Sequence, residues 1–133
     1  MRTYKIVSIV DDDESIRTST ASLVRSMGWE ARVYESADHF LGSIGIPGIG
    51  GIGCIVCDVQ MPGMNGLQLQ SELVALGSSI PIIFITAYDN KDSRRRAMQA
   101  GAVAFLGKPF SDEQLLQTVR SAIRHDKGGM KSE

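Results

Sequence analysis

The sequence predicts an α/β fold, a doubly wound parallel sheet of five strands covered by five helices. Three observations point there. Short apolar runs alternate five times with segments of helical periodicity along the 133 residues. The runs are apolar on both faces, as strands packed between two helical layers must be. Four of them end in reactive polar residues, and doubly wound sheets bind ligands beyond the carboxyl ends of their strands, where the strand order reverses.

The first strand is Ile6 to Val10, leading into Asp11-Asp12-Asp13. Asp13 can cap a helix from Glu14 to Met27, on which Ile16, Thr20, Leu23, Val24 and Met27 recur at helical spacing before Gly28 stops it. Ala31 to Tyr34 is a short second strand, and Ser36 is the N-cap of a helix through Phe40 and Leu41. The stretch from Gly42 to Gly53 is too Gly-rich for a stable helix, and no Gly-Lys-Ser/Thr follows it as a phosphate loop requires. It reads as a mobile surface loop, with a partner contact through its isoleucines as the alternative.

Cys54 to Cys57 forms the third strand and leads into Asp58. A helix from Asn65 to Leu76 carries Leu67, Leu69, Leu73, Val74 and Leu76 and stops at Gly77; Pro81 then introduces the fourth strand, Ile82 to Ile85, which leads into Thr86. A fourth helix runs from about Asn90 to Ala100 and closes at Gly101. Ala102 to Leu106 is the fifth strand, running into Gly107-Lys108-Pro109. Ser111 with Gln114 makes a capping box for the fifth helix, whose Leu115, Leu116, Val119, Ala122 and Ile123 share one face. Carboxylates, a hydroxyl and an ammonium thus meet at one sheet edge, a set suited to a hard cation and a phosphoryl group.

The length fits one domain, and the formal net charge of −1 gives no overall attraction to nucleic acid. No apolar stretch approaches the length of a membrane span, and the amino-terminal residues lack the pattern of a signal peptide, so the sequence predicts a soluble protein of the cytoplasm. Cys54 and Cys57 have C-x-x-C spacing, but in a strand side chains three positions apart point to opposite faces. They are expected to be buried and structural rather than a disulfide or metal pair. Arg94-Arg95-Arg96 projects in three directions from a helix, so a solvated face or dimer salt bridges are expected rather than a nucleic-acid patch. His39 and His125 have no partner at ligand spacing.

Four segments, Ile9-Val10-Asp11-Asp12-Asp13-Glu14, Cys57-Asp58-Val59-Gln60-Met61-Pro62-Gly63-Met64-Asn65-Gly66, Ile85-Thr86-Ala87 and Phe105-Leu106-Gly107-Lys108-Pro109-Phe110, resemble the signatures of response-regulator receiver domains of two-component systems. They occur in the family's order over residues 4 to 125, and the acidic triple and the stretch from Ala100 to Phe110 resemble the FixJ-like branch. The resemblance implies the strand order 2-1-3-4-5. It implies that Asp58 is the phosphoacceptor and that Mg²⁺, or Mn²⁺, is held by Asp11, Asp12, Asp58 and the backbone carbonyl of Gln60. It gives Lys108, aimed by a cis bond to Pro109, and Thr86 as phosphoryl-binding groups.

By the same resemblance Thr86 and Phe105 form the switch: phosphorylation draws Thr86 inward, vacating space for Phe105 and reshaping the face of the fourth helix, fifth strand and fifth helix. Gln60 and Tyr88 flank the approach to the phosphoryl group and are expected to modulate its lifetime, Tyr88 by shielding it. The partners implied are a sensor histidine kinase or histidine phosphotransfer protein and a second copy through that face, with no membrane contact and no direct nucleic-acid binding by this domain. The chain is expected to be a signalling domain, not an enzyme on other substrates, with residues 126–133 a flexible tail or the start of a linker to an effector. A stand-alone receiver is the alternative output. Intact Asp11, Asp12, Asp58, Thr86 and Lys108 oppose an unphosphorylated docking module, and Gln60 replaces the second Asp that a haloacid-dehalogenase-like phosphohydrolase needs.

Overall fold

The structure, a computed structural model, describes residues 6–44 and 51–131. Strands and helices alternate as the sequence predicts: β1 (Ile6–Val10), α1 (Glu14–Ser26), β2 (Glu30–Tyr34), α2 (Ala37–Ile44), β3 (Ile52–Asp58), α3 (Gly66–Ala75), β4 (Ile82–Thr86), α4 (Lys91–Gln99), β5 (Ala104–Gly107) and α5 (Asp112–Lys131). All pairings are parallel, in the order β2-β1-β3-β4-β5. The order reverses between β1 and β3, so Asp11 and Asp58 leave the sheet side by side at that point.

Each strand feeds two cores. Val7, Ile9, Cys54, Val56, Ile83 and Ile85 face α1 and α5, meeting Ala21, Val24, Leu115 and Val119. Val10, Ile55, Cys57 and Phe84 face the other way, against Phe40, Leu69, Leu73 and Ala97 of α2, α3 and α4. Full burial of each such large side chain contributes about 1.5–3 kcal/mol. The two cysteines fall in opposite cores, free and buried as expected, and burial pushes the Cys54 thiol up to about 12.

Caps set the helix starts. Asp13 accepts from the Ile16 amide, Ser36 from His39 and Ser111 from Gln114, while Asn65 and Gln68 close a reciprocal capping box. Gly28, at φ 85°, supplies the left-handed turn that ends α1.

Several boundaries differ from the sequence reading. β2 begins at Glu30, which pairs with Ile6. β3 begins at Ile52 rather than Cys54, because Ile52 also pairs with Ile6 across a register shift, drawing Gly53 into the strand. β5 begins at Ala104: the amides of Ala102 and Val103 bond to the Ala97 and Ile82 carbonyls on the approach. α2 takes in Gly42 and reaches Ile44, so part of the Gly-rich stretch is helical, since extending a formed helix costs less than nucleating one. Residues 45–50, where a surface loop or partner contact is expected, lie outside the described residues. α5 continues through Lys131, past residue 125 and into the stretch expected as a tail.

Among the described residues no helix is long and apolar enough to cross a membrane.

Candidate functional site

β1, β3, β4 and β5 deliver the predicted residues to one edge. Asp11 follows β1, with its amide bonded to the Tyr34 carbonyl of β2 at 3.1 Å. Asp58 closes β3 opposite Ile85, and Thr86 closes β4 opposite Gly107. Lys108 is fixed through its backbone, its amide donating to the Thr86 carbonyl at 2.7 Å, and its bond to Pro109 is cis. The four strand ends therefore converge on one edge of the sheet.

Asp11, Asp12 and Asp58 each offer a carboxylate oxygen, and these atoms lie within 4.8 Å of one another. Asp11 is fully buried and Asp58 is 7 % exposed, whereas Asp12 faces solvent. The Lys108 ammonium stands 3.9 Å from Asp11 Oδ2. Asp11 Oδ1 accepts from the Asp13 amide, but Oδ2 is buried with no hydrogen-bond partner. An oxygen so placed is costly unless something satisfies it, and with two further carboxylates beside it the donor set fits a hard divalent cation.

Burial, then the nearby Asp11 charge, push the Asp58 carboxyl up to about 6, against the pull of Lys108 and the Gln60 amide. Asp11 is raised for the first of these reasons, burial. Because Asp58 ionises less readily folded than unfolded, its ionisation opposes folding: the penalty is absent below 3.8, grows as pH rises to about 6 and stays constant above.

Thr86 is buried, and its hydroxyl accepts from the Tyr88 amide at 3.0 Å and donates to the Tyr88 carbonyl at 3.3 Å. Tyr88 itself is 71 % exposed. The Gln60 amide donates to Asp58 Oδ1 at 3.3 Å and the Gln60 side chain is exposed. Phe105 is only 4 % exposed, with its ring 6.2 Å from that of Phe84. Its ring is in the core of this structure, because β5 pairs it directly with Phe84 of β4.

Sequence reasoning missed three contributors. The Arg17 guanidinium donates to the Asp11 carbonyl at 2.9 Å from one turn into α1. Gly66 opens α3 against the Asp58 carbonyl, where no Cβ fits. Arg94, grouped in the sequence with its two neighbours, bonds the Phe105 carbonyl at 3.1 Å and Asp89 at 2.7 Å, while Arg95 and Arg96 pair with Asp92 on the exposed side of α4. Only the Gly66 position carried a local signal, a glycine directly after the capping asparagine.

Comparison with known proteins agrees with this geometry. Residues 7–120 match the family model of the response regulator receiver domain. Nodulation protein W of Bradyrhizobium diazoefficiens is 44 % identical over 125 residues, covering 94 % of this chain and 54 % of that protein. Transcriptional regulatory protein FixJ of the same organism is 37 % identical over 133 residues, covering 100 % and 63 %. The crystal structure of FixJ-N superposes with a TM-score of 0.83 at 35 % identity, covering 94 % of this chain and 97 % of that one. The chain spans about half the length of the first curated relatives it matches. With the family's fold, its signature segments and this match over most of its length, the chain belongs to the response regulator receiver domains of two-component signalling, in their FixJ-like branch.

Proposed function

We propose that the chain is a phosphorelay switch that accepts a phosphoryl group on Asp58. The observation that carries this is the buried Asp11 Oδ2, without a hydrogen-bond partner, within reach of Asp58 and the Lys108 ammonium. Asp11, Asp12, Asp58 and the Gln60 carbonyl would hold a divalent cation. Mg²⁺, or Mn²⁺, bound there would supply positive charge to the phosphoryl oxygens.

An Asp58 oxygen bonds to phosphorus as the P–N bond to the donor imidazole breaks, and the electron pair leaves with the imidazole nitrogen, which takes up a proton. The transition state is loose and rich in oxygen charge, so positioning and electrostatics account for most of the rate. Lys108 stabilises that charge from the β5 side. Thr86 offers a hydroxyl once it leaves the Tyr88 carbonyl.

The donor is a sensor histidine kinase or a histidine phosphotransfer protein. A groove of about 570 Å³ between α1 and the turn after β5, lined by Ile16, Leu23, Lys108, Pro109 and Phe110, gives it an apolar seat beside Lys108. The output is a change on the α4, β5 and α5 face, read in the cytoplasm by a second copy of the domain or by an effector. The match to only part of the length of transcriptional regulatory proteins such as FixJ favours a transcriptional effector.

The test is phosphorylation by acetyl phosphate. With Mg²⁺ the chain is expected to gain a phosphoryl group, and a chelator to abolish the gain. Since Asp58 must be ionised both to attack and to bind the cation, and the cation favours the ionised form, the initial rate with Mg²⁺ should rise with pH over a range below the metal-free value of about 6. Equal labelling with chelator present contradicts the reading.

Tyr88 is largely exposed and its backbone holds the Thr86 hydroxyl, and we assign its side chain the role of shielding the acyl phosphate from water. Tyr88→Ala is then expected to shorten the phosphoryl lifetime; an unchanged or longer lifetime ends that assignment.

A further inference from the structure

Arg94 turns away from the solvent-facing pairs of Arg95 and Arg96 and lies back on the sheet. One nitrogen donates to the Phe105 carbonyl at 3.1 Å, the guanidinium sits over the Phe105 ring at 5.0 Å from its centroid, and the other nitrogen meets Asp89 at 2.7 Å. Asp89 lies next to Tyr88, whose backbone holds the Thr86 hydroxyl. The Asp89 carboxylate also covers Gly107: a Cβ there would come within 3.0 Å of Asp89 Oδ2. One guanidinium therefore joins the loop after β4, helix α4 and Phe105 of β5, and its partner Asp89 reaches on to Gly107, directly before Lys108.

α4 has little else to hold it. Among the described residues Ala97 is the buried one of α4, and its carbonyl ties the helix by accepting from buried Gln70 at 3.1 Å and from the Ala102 amide at 3.0 Å. A helix with so small an apolar face takes its position from its polar contacts. An exposed ion pair alone would hold it weakly, but a planar guanidinium can bond a carbonyl, pair with a carboxylate and stack on a ring at once.

We propose that Arg94 is a positioning residue, which with Asp89 and Phe105 couples the loop beside Asp58 to the α4 and β5 surface. The inference rests on the phosphoacceptor reading of Asp58. When the Thr86 hydroxyl changes partner, the Tyr88 backbone it held moves, Asp89 moves with it, and Arg94 passes the displacement to both α4 and Phe105. Lysine at this position keeps the charge and loses the fork and the stacking, so it does not replace arginine.

Amide NMR of the whole chain with Mg²⁺ and fluoroberyllate, a phosphoryl mimic, tests the coupling. In the wild type, saturation is expected to shift residues 87–90, α4 and residues 104–107. In Arg94→Lys and in Asp89→Asn, fluoroberyllate is expected still to bind and to shift residues around Asp58, while the α4 and 104–107 shifts fall at least ~threefold. A residue that only stabilised the fold would lower the melting temperature without changing this pattern. Shifts of wild-type size in α4 and 104–107 in both variants overturn the proposal, as does a wild type that binds fluoroberyllate with no change there. A wild type that binds none at Asp58 overturns instead the reading on which the proposal rests.

Discussion

Asp11→Asn is expected to weaken Mg²⁺ binding at least ~tenfold and to slow phosphorylation in proportion, while the metal-free domain becomes no less stable. The substitution keeps the shape and removes one charge from a group that is fully buried and has an oxygen without a hydrogen-bond partner. A cation loses a ligand there. The apo protein loses a repulsion, because Asp11 is the largest charge effect raising Asp58, after burial. Asp58 should accordingly titrate closer to its ordinary value in the variant. Calorimetric Mg²⁺ titration, thermal melting and NMR titration of Asp58 check the three parts, and a variant that binds Mg²⁺ like the wild type contradicts the site assignment.

Gly66→Ala is the second large effect, and it acts on shape rather than charge. A Cβ on Gly66 would fall on the Asp58 carbonyl oxygen, with a Phe84 ring carbon and the Val59 Cα each at 3.0 Å. Two of those obstacles are backbone and the third is a fully buried ring, so none can rotate aside. Overpacking of this kind costs about 1–3 kcal/mol, and for a domain of this size the melting temperature should drop by several degrees, on the order of 5 °C. Since the displaced backbone is that of the phosphoacceptor itself, phosphorylation should fall even where the variant is fully folded. An alanine variant with wild-type melting and labelling would contradict the close approach of α3 to β3.

The acids at Asp11, Asp12 and Asp58 were visible because strand periodicity alone places them at run ends, and parallel pairing then brings the ends together. The register that sets Lys108 beside Thr86 follows the same way. Gly66 could be seen as a glycine but not as a contact, since its neighbour is the backbone of a residue eight positions earlier.

Arg94 was hidden for a different reason. Three consecutive arginines on a polar helix have equal sequence credentials, and only the distance from α4 to β5 decides which one reaches the Phe105 carbonyl. Phe105 likewise was placed correctly in β5, while its burial state was not legible in the sequence. Strand pairing with Phe84 settles that state, and pairing across β4 and β5 is a tertiary fact. The early starts of β2 and β3 show the same limit on the strand scale, because the partner in each case is Ile6 of β1.

The central claim is that Asp58 takes the phosphoryl group, and peptide mapping of the phosphorylated chain tests it most directly. After incubation with Mg²⁺ and acetyl phosphate, the wild type should carry an acid-stable, base-labile phosphoryl adduct on the peptide containing Asp58, and Asp58→Asn should carry none. An adduct of equal yield on Asp58→Asn, or no adduct on the folded wild type, would contradict the account.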